Sequence, residues 1–433
     1  MNISGSAGFR NWYPGWSVLI GVFISAAVAI GFTSYIFGMF AVPVSEEFGL
    51  SRAEYNNGFI ALMAGVAFAA ATVGKLLDRY SARHIMAVAG ILFGFSFIAI
   101  SQSTSVTLML LLLAVPIPAG VAACGVVGAN TVIVRWFERR RGRVMGVLAL
   151  STSVGGFLAQ PATGWLISNL GWREALLTLG LTALVLFTVL PLFLIRNHPR
   201  ITDQGYASEF PEVGSPSEDE QPDDSNGRQW SQLEVLKTRN FWFLALGVGI
   251  FFGVDQAILI SQVPFFLDAG YSMEVAAMLV SIKTVSAIGG KLLVGFLTDK
   301  IDLRLLFAAV AFCNISLLCI YMIQPNFWVL VVALTFLGIA VGGVFPVWTM
   351  LVAWLFGTRS YGTVIGMTSI GTQIFAIVGA RFIGEMYDSF GSYTPAFALF
   401  IGAMVLAIVL IRMTKPFDSA VCGVGESPCD TKN

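Results

Sequence analysis

Three ionisable side chains lie inside long apolar stretches of this 433-residue chain, where an unpaired charge is costly. Asp255 occurs in FFGVDQAIL, and Lys283 and Lys291 share the next apolar stretch along the chain. At about 1.5 Å per helical residue, Lys283 lies about 15 Å from the nearer end of its stretch, which is too deep for easy contact with water. Buried charges of this kind pair with one another or bind charged small molecules and protons.

Two interpretations are open for each lysine. A Lys283–Asp255 ion pair is geometrically plausible, and it either lines an aqueous cavity or closes a packed helix interface. Lys291 lies eight residues further on (291 − 283), near the same helix face, so it either contacts a ligand or extends to the membrane interface. Arg381 lies near a helix end with Glu385 one turn on, and the spacing predicts an ordinary Arg–Glu pair.

Several uncharged polar residues also fall within apolar stretches. Each could line a cavity, and each could equally make a hydrogen bond between helices. Tyr35, Asn130 and Gln373 are predicted to line a substrate-binding cavity together with the two lysines. The further candidates are Gln160, Gln256, Asn314 and Trp348.

The composition indicates that lipid surrounds most of the chain. Hydrophobic residues make up 56% and charged residues 12%, and the mean hydropathy is +0.80, whereas soluble domains are about 25% charged. The net charge of +0 gives no reason to expect a nucleic-acid partner. The two His and five Cys show no metal spacing, and no catalytic triad or phosphate-binding loop is present. We therefore expect no cofactor and no enzyme activity.

The apolar stretches predict an all-α membrane protein with 12 spans. The first span follows Arg10 and is too long for a cleavable signal peptide. The predicted spans are 15–40, 56–77, 84–102, 107–134, 144–168, 174–195, 241–266, 273–297, 304–323, 328–355, 363–386 and 394–413.

The distribution of charge predicts the domains and their orientation. Residues 196–240 are acidic and rich in Pro and Ser, which predicts a disordered cytoplasmic linker between six-helix bundles at 1–195 and 241–413. Most of the 25 basic residues fall in loops on one side, so both termini, the linker and the tail 414–433 are predicted to be cytoplasmic. The expected location is the cell (inner) membrane, and the chain is expected to act as a monomer.

A polar motif occurs once in each half of the chain. GKLLDRYSAR from Gly74 and GFLTDKIDLR from Gly295 are 221 residues apart (295 − 74). RWFERRRGRVMG and WLFGTRSYGTVIG then place matching glycines 220 apart (366 − 146), and Gly164 and Gly384 share that offset. A steady offset predicts duplicated six-helix halves.

The motif residues predict a conformational latch at the basic loops. A glycine allows two helices to approach closely, and an acid beside bases forms a network that breaks in another conformation. A basic loop that only sets topology is the simpler alternative. The predicted latch residues are Gly74, Asp78, Arg79, Arg83, Gly295, Asp299, Lys300 and Arg304.

At these residues the chain resembles the major facilitator superfamily, whose loops carry this Gly–Asp–Arg pattern in both halves. Two further motifs, PGWSVLIGVFIS from Pro14 and the run from Arg135, look like the monocarboxylate transporter and oxalate/formate antiporter branch. The resemblance implies alternating-access movement of small organic anions by proton symport or anion exchange. It also implies that Lys291 contacts the anion, although Ala287 stands where animal members carry an acid.

These observations lead to three functional hypotheses. The leading one is a secondary transporter of small monocarboxylates, with Lys291 and Lys283 holding the carboxylate and Asp255 carrying a proton. The second is an exporter of hydrophobic drugs or metabolites with the same fold, which the 35 Phe residues would suit. The third is a membrane sensor that transports nothing, although the linker contains no recognisable signalling module.

Overall fold

The computed structural model describes residues 13–138, 140–197, 199, 232–298, 300–323, 326–357 and 361–415. Within these ranges the secondary structure is helical. Twelve of the described stretches are long and apolar enough to cross a membrane. The predicted all-α architecture with 12 spans is therefore confirmed.

The helices of the first half form spans 1 to 6. Span 1 continues from its α-helix into a π-helix, Gly31–Tyr35. Span 4 is interrupted at Val115 and Gly125, where the backbone leaves helical geometry. The α-helices are Pro14–Ile30, Ala41–Phe48, Arg52–Arg79, Ala82–Gln102, Val106–Ala114, Pro116–Cys124, Val126–Trp136, Arg141–Leu170 and Trp172–Leu194.

The helices of the second half form spans 7 to 12 in the same order. Span 10 is interrupted at Gly343, between two shorter helices. The α-helices are Gln232–Lys237, Arg239–Asp268, Met273–Leu297, Leu303–Ile323, Phe327–Gly342, Val344–Phe356, Tyr361–Phe390 and Thr394–Arg412.

The stretch predicted as a linker ends in helix. Gln232–Lys237 is helical, and the helix of span 7 already begins at Arg239, before the predicted start at 241. In the short helix Val235 is fully buried, whereas Leu233 and Leu236 are exposed. Burial of an apolar side chain favours ordered structure, whereas the acidic composition of the residues before this helix does not favour it. Residues 200–231 lie outside the described part.

The internal repeat extends to the loops opposite the basic ones. Gly49 precedes span 2 and Gly270 precedes span 8, again 221 apart (270 − 49), and both have positive φ, at 65° and 89°. Ser51 and Ser272 follow them, and each side chain accepts a hydrogen bond from a backbone N–H of the next helix. Positive φ favours glycine, and serine is a preferred N-cap, so the two halves use the same residues to begin equivalent helices.

The two halves pack closely at one end of the bundle. We call the end with Arg79, Arg135 and Lys300 the basic end, and the end with Gly49 and Gly270 the opposite end. At the opposite end, a Cβ atom on Gly164 would lie 2.6 Å from the Ala277 Cβ, and one on Gly384 would lie 2.7 Å from the Ala53 Cα. These two repeated glycines therefore permit contact between spans 5 and 8 and between spans 2 and 11.

The two halves separate toward the basic end. A Cβ atom on Gly74, Gly146 or Gly366 would have no described atom within 4 Å, and one on Gly295 would have only Pro346, at 4.0 Å. These four glycines therefore make no close contact with another helix in the described part of the structure. The bundle is closed at the opposite end and open at the basic end.

Candidate functional site

A cavity of about 190 Å³ lies between the halves, and two of the three charged residues found in the sequence, Asp255 and Lys283, line it. Span 1 contributes Tyr35, span 5 contributes Thr152, and spans 7 and 8 contribute Asp255 and Lys283. Because helices from both halves line it, a molecule bound there would contact both bundles. Such a position suits alternating access, in which the bundles move about a central site.

The π-helix of span 1 brings Tyr35 into this cavity. Gly31 packs against the Gly155 carbonyl of span 5, because a Cβ on Gly31 would lie 2.7 Å from that oxygen. The Tyr35 ring lies over Gly156, where a Cβ would come within 2.5 Å of the ring. Tyr35 also interacts with Ser153 and, electrostatically, with Asp255. Short π-helices often occur at functional sites, and here one turns the aromatic side chain toward the cavity.

Lys283 and Asp255 form the pair that the sequence made plausible. The Lys283 Nζ lies 3.9 Å from the Asp255 Oδ1, and both residues line the cavity. The ammonium also donates to the Gln262 Oε1 at 3.5 Å, and the Gln262 amide donates to the Tyr321 hydroxyl at 2.6 Å. The pair therefore lines the cavity, and hydrogen bonds to polar side chains of spans 7 and 9 hold the lysine in position.

Gln160 joins the two halves beside this pair. Its side chain is fully buried, and its amide donates to the Tyr35 carbonyl at 3.3 Å. Its Oε1 accepts from Ser281 at 3.4 Å and Thr284 at 3.2 Å, on either side of Lys283 in span 8. Of the two roles open to Gln160, cavity lining and interhelical bonding, these hydrogen bonds are interhelical.

Lys291 bridges spans 8 and 5. Its Nζ donates to the Ser153 Oγ at 2.8 Å, the Thr152 Oγ1 at 3.1 Å and the Ala149 carbonyl at 3.5 Å. All three acceptors are uncharged, and no described carboxylate lies within ion-pair distance of this lysine. Neither sequence interpretation predicted this contact, because Ser and Thr are common on helix faces of any kind.

A second cavity of about 190 Å³ adjoins the first and shares Ile30, Ser34 and Gln256 with it. Gln373 lines this second cavity with Phe252 and several apolar side chains, and neither lysine lines it. The Gln256 Oε1 is buried and has no hydrogen-bond partner in the described part of the chain. It is therefore an acceptor available to a donor in either cavity.

Other candidate residues lie elsewhere. Asn130 lies in the helix Val126–Trp136 and lines neither of these two cavities. Asn314 is buried, and neither atom of its amide has a partner among the described residues. Arg381 donates to Glu385 at 2.6 Å, which confirms the predicted pair, and also to Asn57 of the other half at 3.1 Å.

The predicted acid–base pairs of the basic end involve two acids that the structure does not describe fully. Asp299 lies outside the described residues, as does the side chain of Asp78. Arg304 instead binds Asp302 at 2.8 Å, and this hydrogen bond lowers the pKa of Asp302 to about 2. Lys300 lies over the Phe296 ring, with 4.1 Å between the Nζ and the ring centroid.

The bases of the first motif have other surroundings. The Arg83 backbone N–H donates to the Asn197 Oδ1 at 3.5 Å, and Arg79 is exposed. Nearby, Arg135 donates to the Leu77 carbonyl at 2.7 Å. The latch remains a prediction for another conformation.

Comparison with known proteins identifies the class. The family model of the Major Facilitator Superfamily matches residues 22–324 and 249–422, and the chain belongs to this family. The chain is 27% identical over 313 residues to monocarboxylate transporter 12 of Rattus norvegicus, covering 66% of this chain and 62% of that protein. The match to monocarboxylate transporter 13 of the same species is 24% over 420 residues, or 93% and 89% of the two chains. These relatives confirm the resemblance to the monocarboxylate transporter branch.

A bacterial protein and two solved structures complete the comparison. The probable sulfoacetate transporter SauU of Cupriavidus necator is 23% identical over 399 residues, covering 88% of this chain and 90% of that one. A bacterial homolog of the lysosomal transporter Spinster, solved inward-facing and unoccupied, has a TM-score of 0.68 at 18% identity, covering 94% and 96%. The nucleoside transporter NupG has a TM-score of 0.68 at 15% identity, covering 93% and 100%. The fold is thus that of membrane transporters and not of enzymes.

Proposed function

We propose that this protein is a secondary transporter of small monocarboxylates and that Lys291 holds the carboxylate. The observation that carries the proposal is the position of Lys291 between the halves, bonded only to uncharged oxygens among the described residues. A partly buried cation with neutral partners is stabilised by a mobile anion, because a charge-assisted bond is stronger than a neutral one.

The charge on the cavity wall favours a monoanion. Lys283 and Asp255 line the first cavity, and Lys291 lies beside it, bonded to the lining residue Thr152. Counted together as the charged wall, the three groups carry two positive charges and one negative charge, which leaves +1 (2 − 1). The residues lining the second cavity carry no charge. A single carboxylate would neutralise the wall, whereas a dicarboxylate would leave one negative charge without a partner.

Asp255 is the proposed proton site. Its protonation would release Lys283 from the pair and raise the wall charge from +1 to +2, so a bound proton would favour a bound anion. The proton and the anion would then cross together, as in symport. If exchange is the mechanism, Asp255 stays ionised and only the anion changes.

The proposed orientation places the basic end and both termini in the cytoplasm. The positive-inside tendency of basic loops supports it, and the cell inner membrane is the proposed location. The conformation described above is then open to the cytoplasm. A monomer is proposed, since the two bundles of one chain supply residues to both sides of the first cavity.

The test is uptake of labelled lactate, pyruvate, oxalate and sulfoacetate into proteoliposomes, with and without an inward proton gradient. We expect gradient-driven monocarboxylate uptake that Lys291→Ala abolishes and Lys291→Arg partly retains. Lys237→Ala is the matched control, since this lysine lies at the end of a short helix outside the predicted spans.

The outcomes separate the candidates. Uptake that requires a preloaded anion and no gradient would identify an exchanger and remove Asp255 from the mechanism. Faster movement of oxalate than of lactate would contradict the monoanion argument. Movement of a hydrophobic cationic dye without any carboxylate would support the exporter hypothesis instead, for which the apolar part of the second cavity offers a surface.

A further inference from the structure

We propose that Thr152 and Ser153 are positioning residues that hold the ammonium of Lys291 until a substrate carboxylate displaces them. Anion binding would thereby release span 8 from span 5 at the point where the halves separate. This inference rests on the proposed role of Lys291 in anion binding. It adds a role for span 5, whose hydroxyls would link anion binding to the separation of the halves.

In the structure, the Thr152 and Ser153 hydroxyls accept hydrogen bonds from the Lys291 ammonium. A lysine ammonium has three protons, and the three acceptors within 3.5 Å are the Ser153 and Thr152 hydroxyls and the Ala149 carbonyl. All three belong to one turn of span 5. A carboxylate that approaches Lys291 must therefore take the place of at least one of them.

One acceptor is accessible from the cavity, and both hydroxyls are chemically replaceable. Thr152 lines the first cavity, and Ser153 is buried at 1% exposure beside Tyr35. A neutral hydroxyl bonds an ammonium more weakly than a carboxylate does, so an anion can displace it. An aspartate or glutamate at these positions would instead form a permanent pair and exclude the substrate.

The contact lies at the end of a regular row. Spans 5 and 8 run antiparallel, so the residue numbers of two facing residues add up to a nearly constant value. For Gly164 and Ala277 the sum is 441, and for Gln160 and Thr284 it is 444. Lys291 with Ser153 gives 444 and belongs to the same row.

One step further along the row the contact is lost. The residue numbers of Gly146 and Gly295 add up to 441, so the row would place these two residues opposite each other. Yet no described atom of the other half lies within 4 Å of a Cβ built on either. The Lys291 bond is therefore the hydrogen bond nearest the basic end that joins the two spans among the described residues.

The experiment combines a binding readout with one that needs no ligand. The variant is Thr152→Val with Ser153→Ala, which removes both hydroxyls at nearly constant volume. Ser151→Ala is the matched control, because Ser151 is a buried neighbour whose hydroxyl has no partner among the described residues. Thr152→Ser with Ser153 retained keeps both hydroxyls and should behave as the original protein.

The ligand-free readout is the distance between spin labels at Gly146→Cys and Gly295→Cys. We expect the double variant to shift the distribution to longer distances, as Lys291→Met should. Combining the double variant with Lys291→Met should add nothing further, because both changes remove the same bond. The inference is overturned if the double variant leaves the ligand-free distance distribution unchanged. It is also overturned if the shifts caused by the double variant and by Lys291→Met add when the changes are combined.

The binding readout is the Kd for pyruvate in nanodiscs. Loss of the competing hydroxyls should lower the Kd about three- to tenfold, as expected for one displaced hydrogen bond. An increased Kd would mean that the hydroxyls bind the anion alongside Lys291, and an unchanged Kd that they only pack; either result overturns the displacement. If the original protein and Lys291→Met bind pyruvate equally, the proposed function fails, whatever the label distances show.

Discussion

Lys283 and Asp255 illustrate what single residues reveal in a chain of this composition. Charges inside apolar stretches stand out in the sequence, and the 3.9 Å pair in the cavity wall agrees with the reasoning from burial. Ser153 and Tyr35 are different. A hydroxyl or an aromatic ring on a membrane helix is ordinary, and only the π-helix and the facing lysine give these two a place in the site.

Asp255→Asn should abolish proton-driven uptake while leaving exchange measurable. The amide keeps the shape of the side chain but cannot gain or lose the proton, and Lys283 becomes an unpaired cation. The measurement is uptake under a proton gradient against counterflow with preloaded substrate, both between pH 5 and 8. Loss of both activities in a well-folded variant would show that the acid serves binding or structure.

Asp302→Asn is the control for pH effects. Because Arg304 holds the folded pKa of Asp302 at about 2, below the usual value of about 3.9, any stability from this pair is complete above about pH 4 and is lost as pH falls toward 2. Its removal should therefore leave the pH profile of uptake between 5 and 8 unchanged. A shifted profile in this variant would mean that the basic end takes part in proton coupling.

Lys283→Met should destabilise the protein by about 3 kcal/mol, since it leaves a largely buried carboxylate without its partner. Adding Asp255→Asn should restore most of that stability, because no unpaired charge then remains. Thermal unfolding followed by size-exclusion chromatography in detergent measures both variants. Equal destabilisation by the single and double variants would indicate packing, not charge, as the role of the lysine.

At the scale of elements, the features that the sequence did not predict lie mostly at the ends of the spans and at the junctions between helices. Apolar length predicted the number of spans well, because lipid requires it. It did not predict the π-helix in span 1 or the helix Gln232–Lys237, since both depend on contacts made by the folded chain. The caps of spans 2 and 8 could have been predicted, because Ser51 and Ser272 follow matched glycines in the printed sequence.

The N-terminus of span 2 is capped from the other half of the molecule. The Asp388 carboxylate accepts from the backbone N–H groups of Arg52 at 2.8 Å and Ala53 at 2.9 Å, and Arg52 also lies 3.4 Å from Asp268. A carboxylate at a helix N-terminus is favoured by the free N–H groups and the helix dipole. This contact must break when the opposite end opens.

Asp388→Ala should therefore shift the protein away from the conformation that is closed at the opposite end. Accessibility of a cysteine at Ser34 to a membrane-impermeant reagent, added on the side of the opposite end, measures the shift. We expect labelling to increase several-fold. Glu385→Ala is the control, because Glu385 binds Arg381 of its own helix. Equal labelling in the two variants would contradict a specific role for the cap.

At the scale of the whole molecule, two duplicated halves meet at one end and separate at the other. Composition and the repeated motif were enough to predict the architecture, since both are properties of the chain alone. The conformation could not be predicted, because the same sequence must be compatible with both arrangements. Gly74 and Gly295 make no close contact across the halves here, so the latch role predicted for them stays a prediction for the other arrangement.

Cysteines at Gly146 and Gly295 should form a cross-link only when the basic end closes. The row of contacts between spans 5 and 8 places these positions opposite each other, although the spans are apart here. We expect slow disulfide formation in the free protein and faster formation in Gly384→Leu, which opposes closure of the opposite end. A cross-link that forms equally in both would contradict the proposed movement.

The contact between Gly384 and Ala53 has a practical consequence. Because a Cβ at Gly384 would lie 2.7 Å from a backbone atom, any larger side chain forces the opposite end apart. A single substitution can thus supply a protein enriched in one conformation without a bound inhibitor. Such a protein could be used to raise antibodies or nanobodies that recognise one state, and these reagents would report which side of the membrane the transporter faces in living cells.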